Sequence, residues 1–378
     1  MPSLLAHTPE SLLAALTALG ENIPLRSCRI AIAEIVAAGK TGLVARDGLS
    51  KANIAVIERY FEWTRPIVEQ RHVDPVDRSV RYLFRLADGE AVEAVRIPLF
   101  APGRFSVCLS SQVGCAMGCI FCATGRLGLS RHLEPGEIIG TFLQVRDEIE
   151  GPQAPGAEPA QRHVTPDANV RRRVSGVVFM GQGEPLHNYD AVMSAASVLS
   201  NPAGGRIDAK SITISTVGLV PQIRRYTEEK RPWKLVISLS SAVIETRRKL
   251  LPVAGKYTLD ELSAAVRDYA KIAPGRVTLA YVVMGGVNTG PEEATELARW
   301  FADVPLRINL IDVNDAREGG FVRAPDIERA AFMDSLQSLK VPIVRRYSVG
   351  QSQNSACGML AAVARAADEA GTAPAEGT

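Results

Sequence analysis

The chain has 378 residues, of which 46% are hydrophobic and 22% charged, with 31 Gly and 23 Pro. This composition is typical of globular proteins and excludes disordered, fibrous and small disulfide-stapled folds, while the length allows two or three domains. There are 43 Lys and Arg and 41 Asp and Glu, so the net charge is +2. A nucleic-acid partner would therefore be held by a local basic surface and not by global charge.

The N-terminal residues lack the basic region of a secretory signal, and no stretch approaches the roughly 18 apolar residues of a membrane span. We therefore expect a cytoplasmic protein that is independent of membranes, and a monomer. The six cysteines lie at positions 28, 108, 115, 119, 122 and 357. Because three of them fall within eight residues, they predict metal or redox chemistry in preference to structural disulfides.

The first predicted elements are helices followed by a β-hairpin. Apolar residues recur at helical spacing over residues 3–64, which predicts a small N-terminal helical domain assigned to residues 1–78. Apolar and polar residues then alternate on both sides of the Asp88-Gly89 turn. This pattern predicts a β-hairpin that links the helices to the remainder, over residues 79–104.

From residue 105 onward, predicted strands and helices alternate. The strands are predicted at 105–110, 174–180, 211–216, 235–240, 277–284, 306–313 and 342–346. The helices between them are predicted at 134–149, 188–200, 220–228, 257–272, 291–302 and 325–338. This alternation predicts an α/β fold with a parallel sheet, and apolar strands buried on both faces favour a partial or complete barrel over residues 105–350. Functional residues are then expected at the carboxyl ends of the strands.

Two segments are predicted to lie outside this framework. Residues 150–169 are rich in Pro, Gly and Ala without periodicity, which predicts a mobile surface insertion. Residues 351–378 form a C-terminal segment that carries Cys357 and ends in a frayed tail from residue 361.

The strongest chemical signal is a CxxxCxxC motif formed by Cys115, Cys119 and Cys122, just after the first barrel strand. Three thiolates at this spacing can hold a 4Fe-4S cluster and leave one iron open to the amino and carboxylate groups of a small molecule. The alternative is a structural zinc site, which needs a fourth protein ligand. The fold would have to supply His132 or Cys108 for that purpose.

The motif resembles that of the radical S-adenosylmethionine (SAM) superfamily, and GQGEP at residues 181–185 resembles the segment that receives the SAM ammonium group. A narrower resemblance is to the dual-specificity RNA methyltransferases, which methylate a carbon of adenine in ribosomal and transfer RNA. It extends from about residue 20 to residue 362. The stretches that carry it are VEAVRIP (92–98), CLSSQVGC (108–115), FMGQGEPL (179–186), ISTVG (214–218), RINLI (307–311) and ACGML (356–360).

This resemblance implies roles for two further cysteines and a glutamate. The C2 and C8 atoms of adenine are electron-poor and cannot displace the methyl group of SAM, so a protein thiolate must accept it first. By resemblance Cys357 is that carrier, and a second SAM yields the 5′-deoxyadenosyl radical that activates the S-methyl group. Glu93 is the implied base, and Cys108 attacks the Cys357 sulfur, with a disulfide bond as the result. Without the resemblance, Cys357 and Cys108 fit ordinary buried apolar residues as well as they fit these catalytic roles. Glu93 then fits an ordinary exposed carboxylate of the hairpin.

The resemblance also implies a set of SAM contacts: Gly183, Glu184, Ser215, Ser238, Leu239, Ser240 and Asn314. The sequence departs from the family pattern at three places. Ser240 stands where histidine is usual, Ala280 stands where an acidic residue is usual, and the loop after Asn314 lacks its usual prolines. These departures concern SAM geometry and substrate identity more than the radical chemistry.

Basic residues occur in local groups at 171–173, 224–225, 247–249 and 345–346. They are candidates for phosphate contacts, although such groups also occur as solvated residues or helix caps. The family further implies an external one-electron reductant such as flavodoxin or ferredoxin. We therefore predict a radical SAM methyltransferase acting at C2 of adenine in ribosomal or transfer RNA, with two SAM consumed per turnover. The alternatives are the same chemistry on a nucleotide or small molecule, and a non-enzymatic iron–sulfur or RNA-binding protein.

Overall fold

The structure is a computed structural model that describes residues 1–151, 170–315, 317, 320–346, 350 and 356–360. Most of the predicted insertion at 150–169 and all of the predicted tail from residue 361 lie outside the described residues. No helix in the described part of the chain is long and apolar enough to cross a membrane.

Three helices form within the predicted N-terminal helical segment: α1 (Pro9–Ala18), α2 (Leu25–Ile32) and α3 (Lys51–Tyr60). Helix α1 begins where the sequence provides a cap, because the Thr8 side chain accepts from the Ser11 N–H and Pro9 occupies the first turn. Leu12 and Leu16 of α1 are fully buried in a hydrophobic core that is continuous with the core of the barrel. The helices therefore pack against the barrel and share its core.

One ten-stranded sheet runs through the rest of the molecule, in the order β1-β2-β3-β4-β7-β8-β9-β10-β11-β12. Its first three strands are antiparallel: β1 (Ile67–Val73), β2 (Val80–Arg85) and β3 (Ala91–Pro98). The remaining strands are β4 (Arg104–Leu109), β7 (Arg173–Phe179), β8 (Ile212–Thr216), β9 (Lys234–Ser238), β10 (Val277–Val283), β11 (Leu306–Asp312) and β12 (Ile343–Arg346). These seven pair in parallel, while β5 (Gln112–Gly114) and β6 (Leu129–His132) form a separate two-stranded sheet.

Helices connect the parallel strands. They are α4 (Ala123–Arg126), α5 (Pro135–Glu150), α6 (Tyr189–Ser200), α7 (Val220–Glu228), α8 (Ile244–Leu250), α9 (Leu259–Ala270), α10 (Pro291–Phe301) and α11 (Asp326–Leu336). The predicted α/β fold is confirmed. Helix α8 is absent from the predicted helices because its seven residues include three consecutive basic residues and carry no apolar stripe.

The hairpin of β2 and β3 was predicted as a linker, and the structure places it inside the main sheet. Strand β3 pairs with β4 in antiparallel register, with Val95 opposite Cys108. The sequence analysis did not predict β1, which adds a further strand to the hairpin. Its first five residues are exposed, so the alternation that marks a half-buried strand is missing.

The sheet curves strongly. Strands β7 and β12 are five places apart in the sheet, a separation of roughly 24 Å if it were flat. Yet the Arg346 Nη1 atom at the end of β12 lies 3.9 Å from the Met180 Sδ atom, which directly follows β7. Because β1 and β12 do not pair within the described residues, the sheet is a partial barrel and not a closed one.

Candidate active site

A cavity opens at the carboxyl ends of the parallel strands. Its lining is mostly apolar with a few polar and thiol groups, which suits a small-molecule site. The predicted site residues that line it are Cys115, Cys119, Cys122, Gly183, Glu184, Ser215, Ser238, Asn314 and Cys357. The fold therefore brings together residues that are up to 242 positions apart in the chain (357 minus 115).

Residues 115–122, which we call the cysteine loop, connect β5 to α4. The loop begins with a tight crossing, in which the Cys115 N–H donates to the Gly128 carbonyl at 2.8 Å. Gly114 precedes this contact with a φ of +75°, and a Cβ there would lie 2.0 Å from the same Gly128 oxygen. The loop closes with the Cys122 N–H donating to the Cys119 carbonyl at 3.0 Å.

The three thiols of the cysteine loop fit a multi-atom cluster. Burial raises the pKa of Cys115 to about 12 and that of Cys119 well above its usual range, and the charges of neighbouring thiols raise both further. Metal binding replaces these protons and relieves that cost. Within the described residues, no three His, Cys, Asp or Glu side chains converge on a single metal ion. His132 and Cys108, the candidates for a fourth zinc ligand, do not line the cavity.

Glu184 lies across the cavity from the cysteine loop and is 2% exposed. Its carboxylate accepts from the Leu186 N–H at 3.0 Å and the Val217 N–H at 2.9 Å. Burial raises the pKa of Glu184 to about 7, although these hydrogen bonds act in the opposite direction. A buried carboxylate of this kind is suited to receive a cation.

Gln112 holds the backbone around Glu184, a role that the sequence analysis did not assign. Its side-chain oxygen accepts from the Glu184 N–H at 2.8 Å, and its amide nitrogen lies 2.9 Å from His132 Nδ1 and 3.1 Å from His187 Nδ1. Gly183 must be glycine here, because its φ is +96° and a Cβ would lie 2.6 Å from the Gln112 Cβ. The sequence signal for Gln112 was its place in the stretch 108–115.

Of the three predicted SAM contacts at the end of β9, only Ser238, the last residue of the strand, lines the cavity. Side chains alternate along a strand, so Leu239 points into the core and is fully buried. Ser240 adopts a left-handed φ of 58°, and its buried hydroxyl has no hydrogen-bond partner in the described part of the chain. The SAM contacts predicted at Leu239 and Ser240 stay predictions, and neither residue lines the cavity. Ala280, the other departure from the family pattern, does line the cavity.

Cys357 has an exposed thiol at the cavity wall. Residues 356–360, which we call the Cys357 segment, are held by two hydrogen bonds against the start of α4, which directly follows the cysteine loop. The Ala123 N–H donates to the Gly358 carbonyl at 2.7 Å, and the Thr124 hydroxyl donates to the Leu360 carbonyl at 3.1 Å. On the other side, the Asn314 amide lies 3.5 Å from the Cys357 carbonyl.

Cys108 lies in β4 and is buried against Val95 and Leu360. It does not line the cavity, but it is close enough to Cys357 for the two to interact electrostatically. Burial raises the pKa of Cys108 to about 12, a negative charge on Cys357 raises it further, and Arg346 acts in the opposite direction. All six cysteines are free, so the disulfide bond implied by the family resemblance is absent from this structure.

Glu93 is 1% exposed, which differs from the exposed carboxylate expected of an ordinary hairpin residue. It lies two residues before Val95 in β3 and so shares a face of the sheet with Val95 and its neighbour Cys108. Its carboxylate forms an ion pair with Arg81 Nη1 at 3.0 Å. Glu93 does not line the cavity.

Three of the arginines considered for phosphate contacts have internal partners instead. Arg247 is 2% exposed. Arg225 pairs with Asp190 at 2.6 Å and Glu229 at 2.9 Å, and Arg345 pairs with Asp312 at 2.8 Å. The sequence could not show the partners Asp190 and Asp312, because they lie on other elements, whereas Glu229 is only four residues after Arg225. Of the same groups, Arg171, Arg173, Arg224, Arg248, Lys249 and Arg346 are exposed.

Residues 109–300 match the radical SAM superfamily. The fold is also similar to the crystal structure of a radical SAM methyltransferase from Sphaerobacter thermophilus, with a TM-score of 0.81 and 32% identity over 96% of this chain and 100% of that one. The fold and the cysteine-lined cavity therefore define a radical SAM enzyme.

Curated relatives narrow the family. A probable RNA methyltransferase of Anaeromyxobacter sp. (strain Fw109-5) is 50% identical over 295 residues, which is 77% of this chain and 80% of that protein. The dual-specificity RNA methyltransferase RlmN of Syntrophobacter fumaroxidans is 39% identical over 287 residues, 76% of this chain and 77% of that protein. The chain belongs to the dual-specificity RNA methyltransferase family of radical SAM enzymes.

Proposed function

We propose that this protein methylates C2 of adenine in ribosomal or transfer RNA through an S-methyl intermediate on Cys357, with two SAM consumed per turnover. The observation that carries the proposal is that Cys357 lines the same cavity as Cys115, Cys119 and Cys122. A methyl carrier must reach both SAM and the place where SAM is cleaved. The names of the relatives support RNA as the substrate.

The cavity residues would hold two cofactors. Cys115, Cys119 and Cys122 would ligate a 4Fe-4S cluster, and Glu184 would receive the ammonium group of SAM. When bound and reduced by an external donor such as flavodoxin or ferredoxin, the cluster supplies the electron that cleaves SAM into methionine and a 5′-deoxyadenosyl radical.

Cys357 carries the methyl group. Its thiolate takes the methyl from one SAM, and S-adenosylhomocysteine leaves. After one hydrogen atom is removed from this S-methyl group, the carbon bonds to C2 of adenine. Aromaticity returns when the adduct loses one proton and one electron, and the oxidised cluster would accept this electron. We assign the proton to Glu93, which is buried on the face of the sheet that carries Cys108.

Cys108 then frees the RNA. Its thiolate attacks the Cys357 sulfur, so that an S–S bond forms while the bond from sulfur to the methylene carbon breaks. The electron pair left on that carbon takes a proton and completes the methyl group. The contact between Cys108 and Leu360 of the Cys357 segment supports this assignment. A thiol reductant must reduce the disulfide before the next turnover.

The test is an anaerobic reaction of the iron-loaded protein with RNA and SAM whose methyl group carries three deuteriums. Because one hydrogen atom is removed from the S-methyl group, the product should be a methyladenosine with two deuteriums, as measured by mass spectrometry of digested RNA. The triple variant Cys115→Ala, Cys119→Ala, Cys122→Ala should lose both iron and product. It is the matched control for radical chemistry.

Other outcomes discriminate between the alternatives. A product methyl group that keeps all three deuteriums would indicate direct displacement and contradict the mechanism. Methylation of a free adenine nucleotide as efficient as that of RNA would favour a small-molecule substrate. The variant Ala280→Glu restores an acidic residue to the cavity wall, so any change in product position would link that residue to substrate choice.

A further inference from the structure

A buried arginine behind the cysteine loop has no part in the reaction proposed above. Arg247 lies on α8 and is 2% exposed. Its guanidinium donates to the Leu239 carbonyl and, at 2.9 Å, to the Val217 carbonyl. These carbonyls follow β9 and β8, so the ends of two barrel strands hold the side chain in place. The Nε atom is buried and has no hydrogen-bond partner in the described part of the chain.

The charge of Arg247 lacks a carboxylate partner among the described residues. Burial lowers its pKa to about 10, so the guanidinium is still protonated at neutral pH. Removing a cation from water costs several kcal/mol unless an anion compensates it. Backbone carbonyls supply only partial negative charges. The position therefore needs a negative charge that no Asp or Glu among the described residues provides.

The thiol whose charge acts on Arg247 is that of Cys119 in the cysteine loop, which is buried like the guanidinium. Helix α8 is also attached directly to the loop, because the Ile120 N–H donates to the Leu250 carbonyl at 3.2 Å. The guanidinium and the proposed cluster ligand Cys119 are thus both buried, on elements that a hydrogen bond joins.

We propose that Arg247 is the fixed countercharge of the iron–sulfur cluster and that it favours the reduced state through Cys119. The inference rests on the proposed cluster. Each thiolate ligand adds a negative charge, and reduction adds one more. A positive charge in the poorly screened interior therefore stabilises the reduced form more than the oxidised form. In this proposal Arg247 acts on the reduction potential of the cluster through Cys119, and it does not contact the substrate.

The test compares two substitutions of the full-length protein after anaerobic reconstitution. Arg247→Gln removes the charge but keeps an amide that can donate hydrogen bonds, while Arg247→Lys keeps the charge. We expect the midpoint potential of the cluster to become more negative in Arg247→Gln and to stay nearer to the unmodified protein in Arg247→Lys. Potentials are measured by redox titration with electron paramagnetic resonance, and iron content is measured on the same samples.

Arg146→Gln is the matched control. Arg146 is also buried, donates to the Val36 carbonyl and pairs with Asp147, so its loss removes comparable interactions far from the cysteine loop. This variant should unfold at a lower temperature with an unchanged potential.

A second measurement covers the case in which Arg247→Gln binds iron poorly. The gain in melting temperature on loading the cluster should be smaller in Arg247→Gln than in the unmodified protein, because only the loaded protein contains the anion. A purely structural role would lower the melting temperatures of the empty and loaded proteins equally and would overturn the inference. Full iron content with an unchanged potential in Arg247→Gln would also overturn it. An unmodified protein without iron would instead contradict the proposed cluster itself.

Discussion

At the scale of single residues, the two candidate catalytic cysteines differ in their surroundings as their proposed roles require. Cys357 is exposed at the cavity wall, where a small methyl donor can reach it. Cys108 is buried away from the cavity, and burial raises the pKa of its thiol to about 12. Burial raises the pKa of Cys357 as well, so access to the cavity, and not acidity, distinguishes the two thiols.

The two cysteines should therefore fail at different steps when each is replaced by alanine. Cys357→Ala should acquire no methyl group and form no RNA adduct, because the carrier is missing. Cys108→Ala should be methylated at Cys357 and should accumulate protein covalently bound to RNA, because nothing breaks the methylene bridge. Mass spectrometry of the protein and gel analysis of labelled RNA check both outcomes. Normal turnover by Cys108→Ala would rule out its resolving role, and Cys28→Ala is the control for a buried cysteine outside the site.

Glu184 predicts a pH dependence of SAM binding. Its pKa of about 7 means that the carboxylate becomes protonated as the pH falls below that value, and the attraction proposed for the SAM ammonium group is lost. The affinity for SAM should therefore decrease between about pH 8 and pH 6. Isothermal titration calorimetry at several pH values measures this change.

Glu184→Gln should bind SAM roughly tenfold to a hundredfold more weakly, with little change over the same pH range, because the amide carries no charge. Glu293→Gln is the control. Glu293 is another buried carboxylate with a raised pKa, but it bonds to Ser241 outside the cavity. A pH dependence that persists in Glu184→Gln would assign the effect to another group.

At the scale of elements, the cysteine loop depends on a backbone conformation that only glycine adopts easily. Gly114 and Gly89 both have φ values in the left-handed region, +75° and +88°. They differ in their surroundings. A Cβ at Gly114 would lie 2.0 Å from the Gly128 carbonyl, whereas a Cβ at Gly89 has nothing within 4 Å. A comparison of alanine variants at Gly114 and Gly89 therefore separates the effect of left-handed backbone strain from that of a steric collision.

Gly114→Ala should therefore prevent iron binding and lower the free energy of unfolding by more than about 3 kcal/mol, because the β5–β6 crossing must open. Gly89→Ala carries only the left-handed strain, about 1 to 2 kcal/mol, and should retain its iron. Chemical denaturation and iron analysis of both variants measure these effects. Equal iron content in the two would show that the crossing does not shape the cysteine loop.

The antiparallel strands are the second feature at this scale. By pairing with β4, the hairpin of β2 and β3 brings Glu93 and its partner Arg81 onto the face of the sheet that carries Cys108. The Ser110 hydroxyl donates to the Glu93 carbonyl at 2.6 Å, and the Glu93 N–H donates to the Gln182 side chain at 3.1 Å. The hairpin is thus attached to the GQGEP segment.

At the scale of the whole molecule, curvature of the sheet creates the site. It brings the end of β12 to the residue after β7, and with it the exposed Arg346 beside Met180 of the cavity wall. An exposed cation at the cavity mouth is well placed to meet a phosphate of a nucleic-acid substrate. With a net charge of only +2, binding of RNA must depend on such local contacts.

RNA binding should accordingly weaken steeply with salt, because phosphate contacts release counterions. Arg346→Gln should reduce the slope of log affinity against log salt by about one. Arg225→Gln is the control. Because Arg225 is already paired with Asp190 and Glu229, this substitution should leave the slope unchanged. Filter binding over a salt series measures both. An affinity independent of salt would contradict RNA as the substrate.

Much of the framework was predictable because it depends on local pattern. The alternation of apolar strands and helices predicted seven parallel strands to within two residues at each end, from β4 to β12. The hairpin followed from Asp88 and Gly89 between two alternating segments. The spacing of Cys115, Cys119 and Cys122 predicted that the three thiols share one site, and all three line the cavity. These patterns can be recognised in the sequence because residues close together in the chain produce them.

Other features required the tertiary structure. The sequence grouped Arg247 with Arg248 and Lys249 as a basic run, but the fold buries Arg247 behind Cys119 and leaves the other two exposed. The sequence also could not show that Ser238 faces the cavity while Ser240 does not. Burial, partners and strand facing depend on residues far away in the chain. The sequence alone determined which chemical groups the protein carries and in what order, and the curvature of the sheet decided which of them meet.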